Sequence, residues 1–237
     1  MRNTVFSNPH GLDDHENHFS TAYDMAILTK YAMKNETYRE ISGTKVHRAP
    51  NPEEKWDRSW KNKNKLLTGL YEYSTGGKTG FTKRAKRTLV STATKDGHDL
   101  IAVTLNGPND WNDHISMFEW GFAQYNLDNV VKKGIVHSVK DDFYKGKVIV
   151  QRDFLYPLTD EEKGNVKIEI KLIKPDSKWK KVNDVPAPCG KMIIMLDNKN
   201  IGEIPLYYNK RGKVSQETWF SNIKEMFLSM IGVYSHG

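Results

Sequence analysis

Asp96-Gly97 stands between two apolar β-rich runs, Arg87-Thr88-Leu89-Val90-Ser91-Thr92-Ala93-Thr94 and Asp99-Leu100-Ile101-Ala102-Val103-Thr104-Leu105, and restricts the fold more than any other feature of the chain. A two-residue hairpin turn needs positive φ, which Gly adopts freely, so this spacing predicts antiparallel strands over 87–95 and 99–106. A third strand is expected over 70–80, from the β-reading run Leu70-Tyr71-Glu72-Tyr73 onward. Asp110 is then placed to cap a helix in which Trp111, Ile115, Phe118, Trp120, Phe122 and Tyr125 bury one broad face.

Upstream, Ala22, Met25, Ala26, Leu28, Tyr31, Ala32 and Met33 recur mostly at helical spacing, with Thr21-x-x-Asp24 as a capping box, and predict a core-facing helix from Ser20 to about Asn35. Residues 43–65 carry Gly43, Pro50, Pro52 and many charges without periodicity, which reads as a surface excursion with a short strand at Lys45 to Arg48. Its Trp56 and Trp60 are expected to pack within that loop. Together these elements make one α/β layer pair, helices on an antiparallel sheet, between residues 1 and 126.

After Asp128 the texture changes to short Val- and Ile-rich runs at 130–139, 147–150, 166–172, 191–196 and 201–206, separated by turn residues such as Lys163-Gly164-Asn165 and Asp197-Asn198. Strands at this spacing predict a small all-β sandwich. From Ser215 onward Trp219, Phe220, Ile223, Met226, Phe227, Met230, Ile231 and Tyr234 repeat at helical spacing behind Lys210, Arg211 and Lys213. That pattern suits an amphipathic helix lying on a membrane surface through residues 215–234, with docking on the protein's own sandwich as the alternative. The expected organisation is 1–127, 128–209 and 210–237.

At 237 residues, with 38% hydrophobic and 27% charged residues, the chain reads as folded and globular, and two domains fit its length. The net charge of +7 suits an anionic polymer, nucleic acid or membrane as a neighbour. Nucleic acid is set aside: the basic residues (Lys61, Lys63, Lys65; Lys83, Arg84, Lys86, Arg87; Lys178, Lys180, Lys181) are scattered and match no helix-turn-helix, zinc-finger or RNA-recognition pattern, and basic runs are usually solvated surface. Cys189 is alone, which rules out an intrachain disulfide and suits a small buried hydrophobe. No apolar run has the length of a signal-peptide core at Met1-Arg2-Asn3-Thr4-Val5-Phe6, and no later run is long enough to span a bilayer. His10, His15 and His18 crowd one stretch with Asp13 and Asp14, but their spacing matches no standard zinc pattern, so no metal is assigned.

Lys78-Thr79-Gly80 at the end of the first predicted strand, Asn8-Pro9-His10-Gly11-Leu12-Asp13 before the first helix, Ser20-Thr21-Ala22-x-Asp24-Met25-Ala26 opening it, and Leu89-Val90-Ser91-x-Ala93 followed by Asp110-Trp111 together resemble one family. This is the serine D-alanyl-D-alanine carboxypeptidases, the low-molecular-weight penicillin-binding proteins, whose motif set is S-x-x-K, S-x-N and K-T-G. The resemblance implies a partial transpeptidase/β-lactamase-like α/β domain. It also implies a β-rich domain after it, with Lys132-Lys133-Gly134 and Ile204-Pro205-Leu206 as landmarks. By the same resemblance Lys78 contributes positive charge, Thr79 offers its hydroxyl to a substrate carboxylate, Gly80 lets the substrate approach the strand, and the N–H of Phe81 supplies one oxyanion donor. His10 is implied to line the site or to play a structural part, and His114 is read as a helix-surface residue. The implied substrate is a peptidoglycan stem peptide ending in D-Ala-D-Ala, the implied inhibitors are β-lactams, no cofactor is required, and the implied location is the external face of the cell membrane.

The nucleophile of that family has no counterpart in this sequence. Ser42-Gly43-Thr44-Lys45 and Ser221-Asn222-Ile223-Lys224 fit the S-x-x-K string, but Ser42 reads as a loop residue before Gly and Ser221 falls in the terminal helix; no S-x-N string occurs. Trp111-Asn112-Asp113 stands where some relatives carry an arginine that assists carboxylate binding, so a second cationic contact is not assigned. Two explanations stand open: a fragment whose leader and first half lie elsewhere, or an internal Met1 read as a start. As a fragment the chain is expected to lack activity alone and to leave the strand over 99–106 with an unpaired apolar edge. A non-catalytic membrane-peripheral or wall-binding module is the alternative function.

Overall fold

Thr21 opens the first helix, α1 (Ala22–Ala32), by accepting the N–H of Asp24 at 3.1 Å. The other half of the expected capping box is replaced: the Asp24 carboxylate turns away and accepts from the Asn3 N–H at 2.8 Å and the Thr4 hydroxyl at 2.7 Å. These bonds hold that carboxyl below its usual range, the Thr4 hydroxyl contributing most. The helix is not simply core-facing. Its buried residues are Asp24 and Thr29, while Tyr23, Ile27 and Tyr31 line an exposed stripe on a different face, because its apolar residues wrap round more than one side.

A second helix, α2 (Glu36–Gly43), is capped by Asn35 through the Tyr38 N–H at 3.0 Å. It puts Ser42 in a helical last turn, not in the loop expected. Strands β1 (Val46–Ala49) and β2 (Arg58–Lys61) form an antiparallel ribbon. Trp56 and Trp60 are exposed, contrary to the packed-loop expectation: Trp60 stacks on His47, at 6.0 Å between ring centroids.

Next come a π-type turn at Leu66–Leu70 and strands β3 (Ser74–Thr82), β4 (Lys86–Lys95) and β5 (His98–Leu105), in antiparallel order β3-β4-β5. Asp96 and Gly97 take φ of 50° and 76°, the positive values that the turn demands. Helix α3 (Asp110–Gln124) packs Phe118 into a core of Leu66, Tyr71, Leu89, Ala93 and Ala102, with Trp111, Ile115 and Phe122 beside it. Trp120 is left exposed, so the buried face is narrower than expected. Asp110 is the first helical residue and does not cap; its carboxylate is drawn to Arg87 instead.

The structure, a computed structural model, describes residues 1–179 and 184–209. They fall into two units: Met1–Asp128 with Pro157–Glu161, and Asn129–Tyr156 with the described residues from Glu162 on. The expected strand over 130–139 is broken into β6 (Asn126–Val131) and β7 (Gly134–Ile135), followed by β8 (Val148–Val150), an unforeseen β9 (Phe154–Leu158) and a one-turn helix α4 (Asp160–Lys163). Strands β10 (Val166–Leu172), β11 (Gly190–Leu196) and β12 (Lys199–Tyr208) complete a five-stranded sheet, order β10-β11-β12-β8-β7, while β6 pairs with β9. Tyr144, Val148, Val150, Ile194, Ile204 and Leu206 form its core. Cys189 is buried there, its thiol donating to the Leu206 carbonyl at 3.3 Å and raised in pKa by burial. The amphipathic helix expected from Ser215 lies outside the described residues. Among the described residues no helix is long and apolar enough to cross a membrane.

Candidate functional site

Asn64 sets where the K-T-G strand begins. It is buried, its Oδ1 accepts the Leu66 N–H at 3.1 Å, and its Nδ2 donates to the Gly76 carbonyl at 3.3 Å. These bonds fold Leu66–Leu70 into a turn, so the strand expected from Leu70 starts at Ser74 and Lys78-Thr79-Gly80 sits within β3. Lys78, Thr79, Gly80 and Phe81 face Val90, Leu89, Thr88 and Arg87 across the ladder. Gly77, at φ 139°, lies so close to β4 that a Cβ would collide with the Val90 carbonyl oxygen, and at Gly80 it would meet the Thr88 hydroxyl. Among the described strands nothing pairs with the other edge of β3, and nothing pairs with the outer edge of β5.

A groove of about 770 Å³ runs over this strand, lined by Lys78, Thr79 and Gly80 together with Lys61, Lys63, Lys65 and Arg87. The Lys78 ammonium donates to the Thr79 carbonyl at 2.5 Å. Arg87 Nη2 donates to Asp110 Oδ1 at 2.6 Å, with the guanidinium 5.4 Å from the Trp111 ring centroid. Thus Arg87 supplies a second cation in the groove, where the sequence had offered none beside Trp111-Asn112-Asp113. Neither Arg87 nor the three lysines were foreseen as site residues. A usable signal was the alternation in Lys61-Asn62-Lys63-Asn64-Lys65.

His10 is not among the groove-lining residues. It sits in an exposed loop where its Nδ1 accepts the Leu12 N–H at 3.3 Å and its Nε2 lies 3.5 Å from Asp14. The same loop reaches the β3–β4 turn through Asp13, whose carboxylate accepts the Arg84 N–H at 3.1 Å. His15 and His18 accept backbone N–H groups of Asn17 and Ser7, and among the described residues no three His, Cys, Asp or Glu side chains converge as a metal site.

His114 is fully buried, not on the helix surface: Nδ1 meets the Ser91 hydroxyl at 2.5 Å and Nε2 meets the Thr104 hydroxyl at 3.0 Å. Burial pushes its pKa down to about 4, against the opposing pull of Asp110 and Asp113. Ser42 Oγ packs beside β3 at Gly76, where an added Cβ would stand 2.9 Å from it, at the C-terminal end of α2.

Lys78-Thr79-Gly80 thus lies on an edge strand over a cationic groove, with α3 packed against the sheet. Comparison with known proteins places these residues in a family context. Residues 1–109 match the sequence model described as D-alanyl-D-alanine carboxypeptidase, and residues 125–213 match that of the penicillin-binding protein 5 C-terminal domain. The D-alanyl-D-alanine carboxypeptidase DacF of Bacillus subtilis is 30% identical over 87% of this chain and 54% of its own length; DacA of Haemophilus influenzae is 27% identical over 87% and 52%. Penicillin-binding protein 5 from Haemophilus influenzae superimposes with a TM-score of 0.57 at 25% identity, over 88% of this chain and 61% of that one. The chain is similar to D-alanyl-D-alanine carboxypeptidases over both matched segments, and it spans about half the length of these two curated relatives.

Proposed function

We propose that residues 1–126 carry the carboxylate-binding half of a D-alanyl-D-alanine carboxypeptidase site, and that the Ser/Lys nucleophile pair lies outside these 237 residues. The observation that carries this is Lys78-Thr79-Gly80 on an edge strand, in the groove that Arg87 also lines. A peptide ending in D-Ala-D-Ala would lie along β3 as an added strand, its main chain bonding to the open edge. Lys78 and the Thr79 hydroxyl would hold its terminal carboxylate, and Gly80 would leave room for its backbone. The Phe81 N–H would be one of two donors to the oxyanion formed when a serine attacks the scissile carbonyl, worth several kcal/mol only when that serine is present. β-Lactams would occupy the same place in the whole enzyme. Association with the external face of the cell membrane rests on the sequence of residues 215–234 alone; truncation after Gly212 should abolish co-sedimentation with anionic vesicles.

The test is exposure of the chain to a diacylated D-Ala-D-Ala peptide and to fluorescent penicillin. Binding without D-Ala release and without covalent labelling is expected. Stoichiometric labelling at any serine would overturn the reading, and labelling at Ser42 would identify a nucleophile within the chain.

A further inference from the structure

The groove carries more positive charge than one terminal carboxylate requires. Of its cations Arg87 is bound to Asp110, and Lys78 is the residue assigned to the carboxylate. Lys61, Lys63 and Lys65 have no acidic partner among the described residues.

Their placement is built by the asparagines between them. Asn62 donates from Nδ2 to the Thr44 carbonyl at 3.0 Å and, from its backbone, to the Lys45 carbonyl at 2.9 Å; its Oδ1 accepts the Asn64 N–H at 2.9 Å. Asn64 in turn is tied to Gly76 of β3, two residues before Lys78. Each asparagine is bonded inward, and each lysine between them is exposed and lines the groove. The row is therefore registered against the K-T-G strand, unlike a run of lysines on a free loop.

Resting on the carboxylate-binding role of Lys78 and Thr79, we infer that Lys61, Lys63 and Lys65 form a second, anion-binding subsite. The ligand is then an acidic peptide that carries, besides its terminal carboxylate, a carboxylate further back along its chain. A peptide suits the edge of β3 beyond Gly76, which pairs with no described strand. The groove volume, in the upper part of the range for small-ligand sites, leaves room beyond a terminal dipeptide.

The experiment titrates the full chain, followed by NMR, with three tetrapeptides: X-Glu-D-Ala-D-Ala, X-Gln-D-Ala-D-Ala, and the Glu peptide with a C-terminal carboxamide, X being acetyl-Gly. At low salt the Glu peptide should bind on the order of tenfold more tightly than the Gln peptide, a modest factor because exposed ion pairs are individually weak. The preference should shrink in 0.5 M salt and vanish in the triple variant Lys61→Gln, Lys63→Gln, Lys65→Gln, whose exposed substitutions leave the far-UV circular dichroism unchanged. Equal binding of Glu and Gln peptides, with the carboxamide peptide not binding, would overturn the second subsite and leave the K-T-G reading intact. Equal binding of the carboxamide peptide, or no shift with any peptide at 10 mM peptide, would overturn both. If inorganic phosphate at matched ionic strength displaces the Glu peptide as well as unlabelled Glu peptide does, the lysines are a general anion patch and the inference fails.

Discussion

Arg87 of β4 and Asp110 at the start of α3 meet at 2.6 Å although 23 residues separate them, and the Asp110 side chain is only 3% exposed against 42% for Arg87. The pair joins sheet to helix at the groove and is lopsided in solvation. Removing the arginine strands a buried carboxylate; removing the carboxylate frees a guanidinium that water can reach. Arg87→Ala should therefore cost about 2 kcal/mol of stability, below the usual penalty for a fully buried pair because one partner is wet, and Asp110→Asn about 1 kcal/mol. Urea denaturation of both variants reads the difference, and an arginine variant no costlier than the asparagine one would refute the asymmetry.

A proton is the probe of His114. Its pKa near 4 lies below the ordinary value of 6.5, so between those pH values the unfolded chain binds a proton that the folded chain refuses. Stability is then greatest above pH 6.5, falls as pH drops toward 4, and loses about 3 kcal/mol from this one group over that window. His114→Phe should be less stable at pH 7, because the Ser91 and Thr104 hydroxyls lose their partner, yet show a flatter decline between pH 6.5 and 4. Parallel pH profiles for the two proteins would rule the histidine out as the source.

Local chemistry was legible in the sequence, and long-range polar pairing was not. Asp96-Gly97, the Thr21 cap and the strands expected over 87–95 and 99–106 depend on neighbours within a few residues, and all are found, the strands at Lys86–Lys95 and His98–Leu105. His114 was misread because its hydroxyl partners, Ser91 and Thr104, lie on two strands that only the sheet brings to it. Asp110 was taken for a cap because its distant arginine could not be seen. Helix α2 has only eight residues and buries none of them, so periodicity could not announce it. The K-T-G motif was placed on a strand, as found, but its position in that strand was misjudged, since a buried asparagine twelve residues before Gly76 bonds to the start of β3. The lysine row was dismissed as solvated surface, which each lysine is; its alignment with the strand is a property of the asparagines.

Substitution at Gly77 tests the closeness of β3 to β4. Gly77→Ala would force a Cβ onto the Val90 carbonyl oxygen at a φ that L-residues avoid, and backbone cannot step aside as a flexible side chain can. A loss on the order of 3 kcal/mol is expected. Thermal melts should show it as a large drop in Tm, whereas Gly97→Ala, with open space around its Cβ, should cost about 1 kcal/mol for its positive φ alone.

Cys189 reports on the second unit. Buried, bonded to the Leu206 carbonyl and raised in pKa, its thiol should react with Ellman's reagent only when the surrounding core opens. Reaction should be slow in buffer and rapid in strong urea. A thiol titrating at once in buffer would mean that this core is not closed.

The asparagine–lysine alternation separates two jobs that most binding sites entangle. Residues that secure the segment are bonded inward and residues that line the groove are exposed, so the charge on the groove wall can be raised, lowered or reversed one position at a time without loosening the scaffold. Surface charge becomes, at this wall, a variable that point mutations can tune independently of foldedness.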